Sequence, residues 1–153
     1  MNERARAVWA VTRVRSWPGG CRLVSLPPEL LPDAATLLAR AAGGFAALLL
    51  ERDEVSLVLP EAAWQASALR GRERAEAGPY RAVTLDVDVE LDVTGYLAPA
   101  ATLLAEAGIP IVPVCGFLKD HLLVREADLE RAVAVLEGLA ARCRFSPPPA
   151  APR

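Results

Sequence analysis

Side chains able to make or break bonds are scarce in this chain. His121 is the only histidine, Asn2 the only asparagine, and Cys21, Cys115 and Cys143 the only cysteines. A mechanism that needs two histidines is therefore excluded, and with it a histidine-rich metal site. Any serine or cysteine nucleophile would have to use His121 as its imidazole base. The three cysteines, odd in number and widely spaced, fit neither a disulfide framework nor paired zinc ligands, so a reducing cytoplasm is expected. No G-x-x-x-x-G-K-[ST] loop and no G-x-G-x-x-G occurs, and the pairs Gly19-Gly20 and Gly43-Gly44 read as turns. No catalytic residue, metal or cofactor is expected, and the chain is not expected to be an enzyme.

Binding chemistry is better represented. Thr94 and Gly95 precede a helical stripe, Leu97, Ala101, Leu104 and Ala107, that stops at Gly108. The unpaired N–H groups and positive dipole end of such a helix favour a carboxylate, and glycine lets a ligand approach the backbone closely. Asp120, in a turn after Phe117, has the charge to pair with an ammonium group. The same residues serve structure equally well: Gly95 permits a tight strand-to-helix turn and Asp120 stabilises a hairpin.

The elements that must position these residues follow from periodicity. Val83, Leu85, Val87, Val89, Leu91 and Val93 alternate with polar residues, which predicts a half-buried strand over 83–93 with Asp86, Asp88, Glu90 and Asp92 on its other face. That acidic face is expected to meet water or the basic side chains of a neighbour. Ile109 to Phe117 and His121 to Val124 read as strands around the turn Leu118-Lys119-Asp120, and Leu129, Val133, Leu136 and Ala140 as the stripe of a last helix. The first half has the same order: strands at 21–26, 44–50 and 55–59, with a helix at 33–42 between the first two. Ala34-Ala35-Thr36-Leu37-Leu38-Ala39 is identical to residues 100–105, and Leu57-Val58 to Leu123-Val124, both at an offset of 66. A duplicated unit is the reading.

The predicted fold is therefore α+β, with two ferredoxin-like units packed side by side. The first covers 18–61, completed by 6–16 or 62–76. A polar linker spans 62–79, the second unit 80–142, and a proline-rich tail 146–153. With 153 residues, 53% hydrophobic and 24% charged, the chain has enough apolar material for a core. A net charge of −2 argues against a nucleic-acid partner, and no apolar run approaches the roughly 20 residues of a membrane span.

Four segments resemble small tandem ACT-domain proteins: Glu54 to Glu61, Gly78 to Val83, Thr94 to Ala98 with Leu104 to Ile109, and Asp120 to Ala132. Related ACT modules occur in the cytosolic arginine sensors of eukaryotes. The resemblance covers residues 20–140 and implies a regulatory, non-catalytic module. It would bind an amino acid or similar metabolite at an ACT–ACT interface through Thr94, Gly95, Phe117 and Asp120. The alternative is a ligand-free interaction module that assembles a homodimer through exposed sheet edges or helix faces.

Overall fold

One strand, β5 (Ala75–Asp86), is long enough to serve two groups of neighbours. The structure, a computed structural model, describes residues 1–41 and 43–145; the tail expected over 146–153 lies outside them. Before β5 the chain forms α1 (Glu3–Val11), β1 (Arg13–Ser16), β2 (Cys21–Leu26), α2 (Leu31–Arg40), β3 (Ala47–Leu50), β4 (Val55–Pro60) and α3 (Glu61–Gln65). After it come α4 (Ala98–Glu106), β6 (Ile111–Cys115), β7 (Asp120–Arg125) and α5 (Leu129–Phe145).

All the strands join one antiparallel sheet in the order β3-β4-β2-β5-β7-β6, with β1 also on β5. On one edge β5 pairs first with β2 (Leu23 opposite Ala77, Cys21 opposite Tyr80) and then with β1 (Ser16 opposite Val83, Arg13 opposite Asp86). Its other edge carries β7, from Tyr80 opposite Arg125 to Leu85 opposite Asp120. The first unit is thus β3-β4-β2 closed by the start of β5. The second is β6-β7-β5 closed by β1. Both have the ferredoxin-like strand order, and the architecture is α+β with two such units side by side.

The helices share one face of the sheet. Val83, Leu85, Leu122 and Val124 point to Trp9 of α1, Ala100 and Leu104 of α4, and Ala132, Leu136 and Ala140 of α5. In the first unit Val24, Leu57 and Leu59 meet Ala34 of α2 and Trp64 of α3. The other face carries Cys21, Val58, Ala82 and Leu123 beneath Phe45, and among the described residues no helix contributes to it. The repeated hexapeptide lies on α2 and α4, and the repeated Leu-Val pair on β4 and β7, which are corresponding elements of the two units.

Three expectations change. Residues 6–16 were expected to complete the first unit, whereas the strand they hold pairs with the end of β5 in the second. The strand is Arg13–Ser16, and a helix fills Glu3–Val11 because Asn2 caps it (Oδ1 accepts from the Ala5 N–H at 2.8 Å) and Ala5 and Trp9 bury one face. The expected linker 62–79 holds most of α3 and the start of β5. Its polar residues are used internally: Trp64 donates its indole N–H to Glu76, while Arg22 pairs with Glu61 and Glu76. The strand expected to run to Val93 ends at Asp86, where its partners β1 and β7 end, and a lone strand has nothing to satisfy its backbone.

From Asp86 onward the acidic row finds its cations within the chain. Arg15 and Lys119 bind Asp86, Lys119 also reaches Asp88, and Arg4 bridges Glu90 and Asp92. Asn2 Nδ2 donates to the Thr94 carbonyl at 2.8 Å, and Trp9 Nε1 to that of Tyr96 at 2.7 Å. The N-terminal helix thereby pins the loop 87–97.

Two substitutions test this packing by urea unfolding. Trp9 is fully buried and stacks on Tyr96 at 5.0 Å. Trp9→Ala is expected to cost about 3–5 kcal/mol, whereas Val11→Ala on the exposed side of α1 stays within about 0.5 kcal/mol. Gly95 turns the loop at φ +77°, and a Cβ there would meet nothing within 4 Å. Gly95→Ala therefore costs only the backbone term of about 1–2 kcal/mol, and Gly95→Asn less. An unchanged midpoint in Gly95→Ala would contradict the conformational role.

Candidate functional site

The end of β5 leaves two loops facing each other. The first, 87–97, leads into α4; the second, 116–119, joins β6 to β7. The Val89 N–H donates to the Leu118 carbonyl at 2.9 Å and fastens one to the other, and the Gly116 N–H closes the hairpin on the Lys119 carbonyl at 2.9 Å. Between them lies a cavity of about 350 Å³. Val93, Gly95, Tyr96 and Leu97 form one wall, and Cys115, Phe117, Leu118 and Asp120 the other.

Three of the four residues expected to bind a ligand, Gly95, Phe117 and Asp120, line this cavity together. Thr94 does not line it; its carbonyl is the anchor for Asn2. The cavity also differs from the expected place. All its lining residues come from the second unit, so it is not a site between the two units of one chain. The reason lies in the shared strand: β2 runs antiparallel to β5, so the loop ends of the two units point to opposite ends of the sheet.

Tyr96 and Cys115 were not anticipated. The hairpin register held a signal for the cysteine, since closing β6 on β7 places Cys115 opposite Asp120. Nothing in the sequence distinguished Tyr96 from any other residue at the entry to a helix.

The electrostatics of the lining are simple. Burial pushes the Tyr96 hydroxyl up to about 12, against a hydrogen bond with Thr12 Oγ1 at 3.0 Å that lowers it. Cys115 is an exposed residue whose thiol is only partly covered, and that partial burial and then the hydrogen bond to Asp120 push it up to about 11. Both groups are neutral at pH 7, and the charges on the walls are the carboxylates Asp120 and Glu90, the second bridged by Arg4. No side chain caps the first turn of α4, whose opening residues Leu97 and Ala98 reach the cavity. Acidic side chains and the backbone N–H groups of Leu97 and Ala98 are the polar partners available there, since Pro99, the next residue, has no N–H. Phe117 at 77% exposure, Leu118 at 50% and Leu91 at 77% form an apolar rim.

His121, the next residue of β7 after Asp120, points to the other sheet face, where its Nδ1 lies 2.8 Å from Thr84 Oγ1. Among the described residues no three His, Cys, Asp or Glu side chains are grouped to hold a metal ion. Nor is any described helix long and apolar enough to cross a membrane.

Residues 77–138 match the ACT domain family model. A protein of unknown function from Vibrio cholerae, described as a possible transport protein, superimposes with a TM-score of 0.71 at 22% identity over 90% of this chain and 97% of its own. A protein from Agobacterium tumefaciens gives 0.66 at 25% identity over 84% and 89%. The ligand-free regulatory subunit of aspartate kinase from Thermus thermophilus gives 0.59 at 13% identity over 84% and 98%. No curated protein matches the sequence. All the residues that line the candidate cavity lie within the matched segment.

Proposed function

We propose that the chain is a non-catalytic regulatory module, two ACT-like units over 18–61 and 80–142, and that the second unit binds an amino acid or similar small metabolite. The observation that carries this reading is the cavity between the loops 87–97 and 116–119. It brings Asp120 and the uncapped start of α4 to one space, with no cation among its lining residues. A zwitterion has the matching pair of groups: its ammonium for Asp120, its carboxylate for the backbone N–H groups. A volume of about 350 Å³ suits a molecule of that size. The match to the ACT domain model and the likeness to a regulatory subunit support regulation rather than catalysis. Three free cysteines are consistent with a cytoplasmic setting.

The apolar rim favours a second reading, a homodimer that covers Phe117, Leu118 and Leu91 without any ligand. The two readings part in a thermal-shift screen of the proteinogenic amino acids. Binding at 100 times Kd adds about 2.7 kcal/mol, a rise of several degrees in midpoint. We expect at least one amino acid to give that rise and Asp120→Asn to abolish it. No shift at millimolar concentrations, or a full shift retained in Asp120→Asn, would contradict the proposed site.

A second measurement checks the geometry without a ligand. Removing the carboxylate that helps hold the Cys115 proton leaves more thiolate at pH 8. Asp120→Asn is therefore expected to speed alkylation of Cys115 several-fold, followed by mass spectrometry. An unchanged rate would mean that the two side chains do not share the cavity.

A further inference from the structure

A second cavity, of about 420 Å³, opens on the helix-free face of the sheet, beside the segment that carries the chain from β1 to β2. Its floor is Thr84 and His121, its aromatic wall is Trp17, and its charged groups are Arg15, Lys119 and Asp86. We infer that this cavity is a separate ligand site that takes a small planar carboxylate, its ring against Trp17 and its anion toward Arg15 and Lys119.

The aromatic wall is fixed before anything binds. Trp17 Nε1 donates to Thr84 Oγ1 at 2.8 Å, its backbone N–H donates to the Ala82 carbonyl, and its ring meets Phe45 edge-on at 5.7 Å. Phe45 in turn lies 4.8 Å from the His121 ring. A rigid, partly exposed indole offers a flat stacking surface without an ordering cost on binding.

The hydrogen-bond order determines what His121 presents. An indole N–H can only donate, so Thr84 Oγ1 accepts from Trp17 and its hydroxyl hydrogen is left to reach His121 Nδ1. The ring proton then resides on Nε2, which has no hydrogen-bond partner among the described residues and is a donor for an oxygen. Burial lowers the pKa of His121, which keeps the ring neutral in this role.

Two cations line the cavity. Arg15 Nη1 and Lys119 Nζ sit on the two different oxygens of Asp86, and Lys119 Nζ also lies 3.6 Å from Asp88, which is outside the lining. Arg15 and Lys119 are exposed enough, at 71% and 37% of their side chains, to reach a second carboxylate while Asp86 holds them in place. This arrangement differs from the cavity around Asp120, whose charged wall residues are acidic. The hairpin 116–119 separates the two, with Lys119 lining this cavity and Phe117 the other.

Tryptophan emission of the full chain tests the inference directly. Trp9 and Trp64 are fully buried whereas Trp17 is 37% exposed, so quenching by an added ligand reports Trp17. Benzoate and nicotinate are titrated beside their uncharged amides, benzamide and nicotinamide. We expect saturable quenching by at least one acid and none by either amide. The Arg15→Gln, Lys119→Gln double variant should bind the acid about tenfold more weakly, as loss of charge-assisted contacts requires. Phe117→Ala, which alters only the other cavity, should bind it as tightly as the unmodified chain. Absence of saturable quenching by both acids at millimolar concentration, equal quenching by acid and amide, or unweakened binding in the double variant would each overturn the proposal. The comparison of acid with amide needs no variant to fold.

Discussion

A twelve-residue strand that hydrogen-bonds to three others is the constraint on which this molecule depends. The start of β5 closes the sheet of the first unit against β2. Its end opens the sheet of the second, between β1 and β7. A strand shared in this way cannot be withdrawn from one unit without breaking the ladder of the other, and each unit buries its own tryptophan, Trp64 or Trp9, against the same sheet. Because the fourth strand of the second unit is the N-terminal β1, the chain must also thread its beginning back beside its middle. The cap at Asn2 and the indole bond from Trp9 to the loop before α4 keep it there.

The position of the candidate site follows from where β5 runs out of partners. At Asp86 both neighbouring strands end, the backbone leaves the sheet, and the loop 87–97 must find other bonds. It finds them in the Leu118 carbonyl, in Asn2 and in the Arg4 bridge to Glu90 and Asp92. The same strand end sets the hairpin 116–119 opposite the loop, so two turns that carry little apolar burial enclose a cavity on one side. On the other side Lys119 is held against Asp86 over the open sheet face. Ligand sites on such loops, supported by a rigid sheet, are a general arrangement because loops tolerate chemical variation that a core does not.

Much of this was legible in the residues. The hexapeptide repeated at residues 34 and 100 marked equivalent helices, and the 129, 133, 136, 140 stripe marked α5. The turn after Phe117 marked a hairpin, whereas the grouping of Gly95, Phe117 and Asp120 came from the resemblance to ACT-domain proteins, which also put Thr94 with them. The failures have physical causes. Alternation over 83–93 has the period of a strand, but a strand also needs a partner, and sequence period carries no information about where the partner ends. The segment 62–79 looked like a linker because Arg70, Arg72, Glu73, Arg74 and Glu76 are polar. In the folded chain several such residues are tied down by bonds to Asp33, Asp53 or Trp64 that span many residues of sequence. The role of α1 and β1 in the second unit was hidden for the same reason: a strand pairing across some 70 residues leaves no local trace.

That the shared strand makes the two units one cooperative body is tested most directly by native-state hydrogen exchange. Amides of β2 and β7 lie on opposite edges of β5 and belong to different units. If β5 binds the units together, the slowest amides of both strands will exchange with the same opening free energy and respond identically to added denaturant. If the slowest β2 amides open at distinctly lower free energy while those of β7 stay protected, the first unit unfolds on its own and β5 does not couple the two.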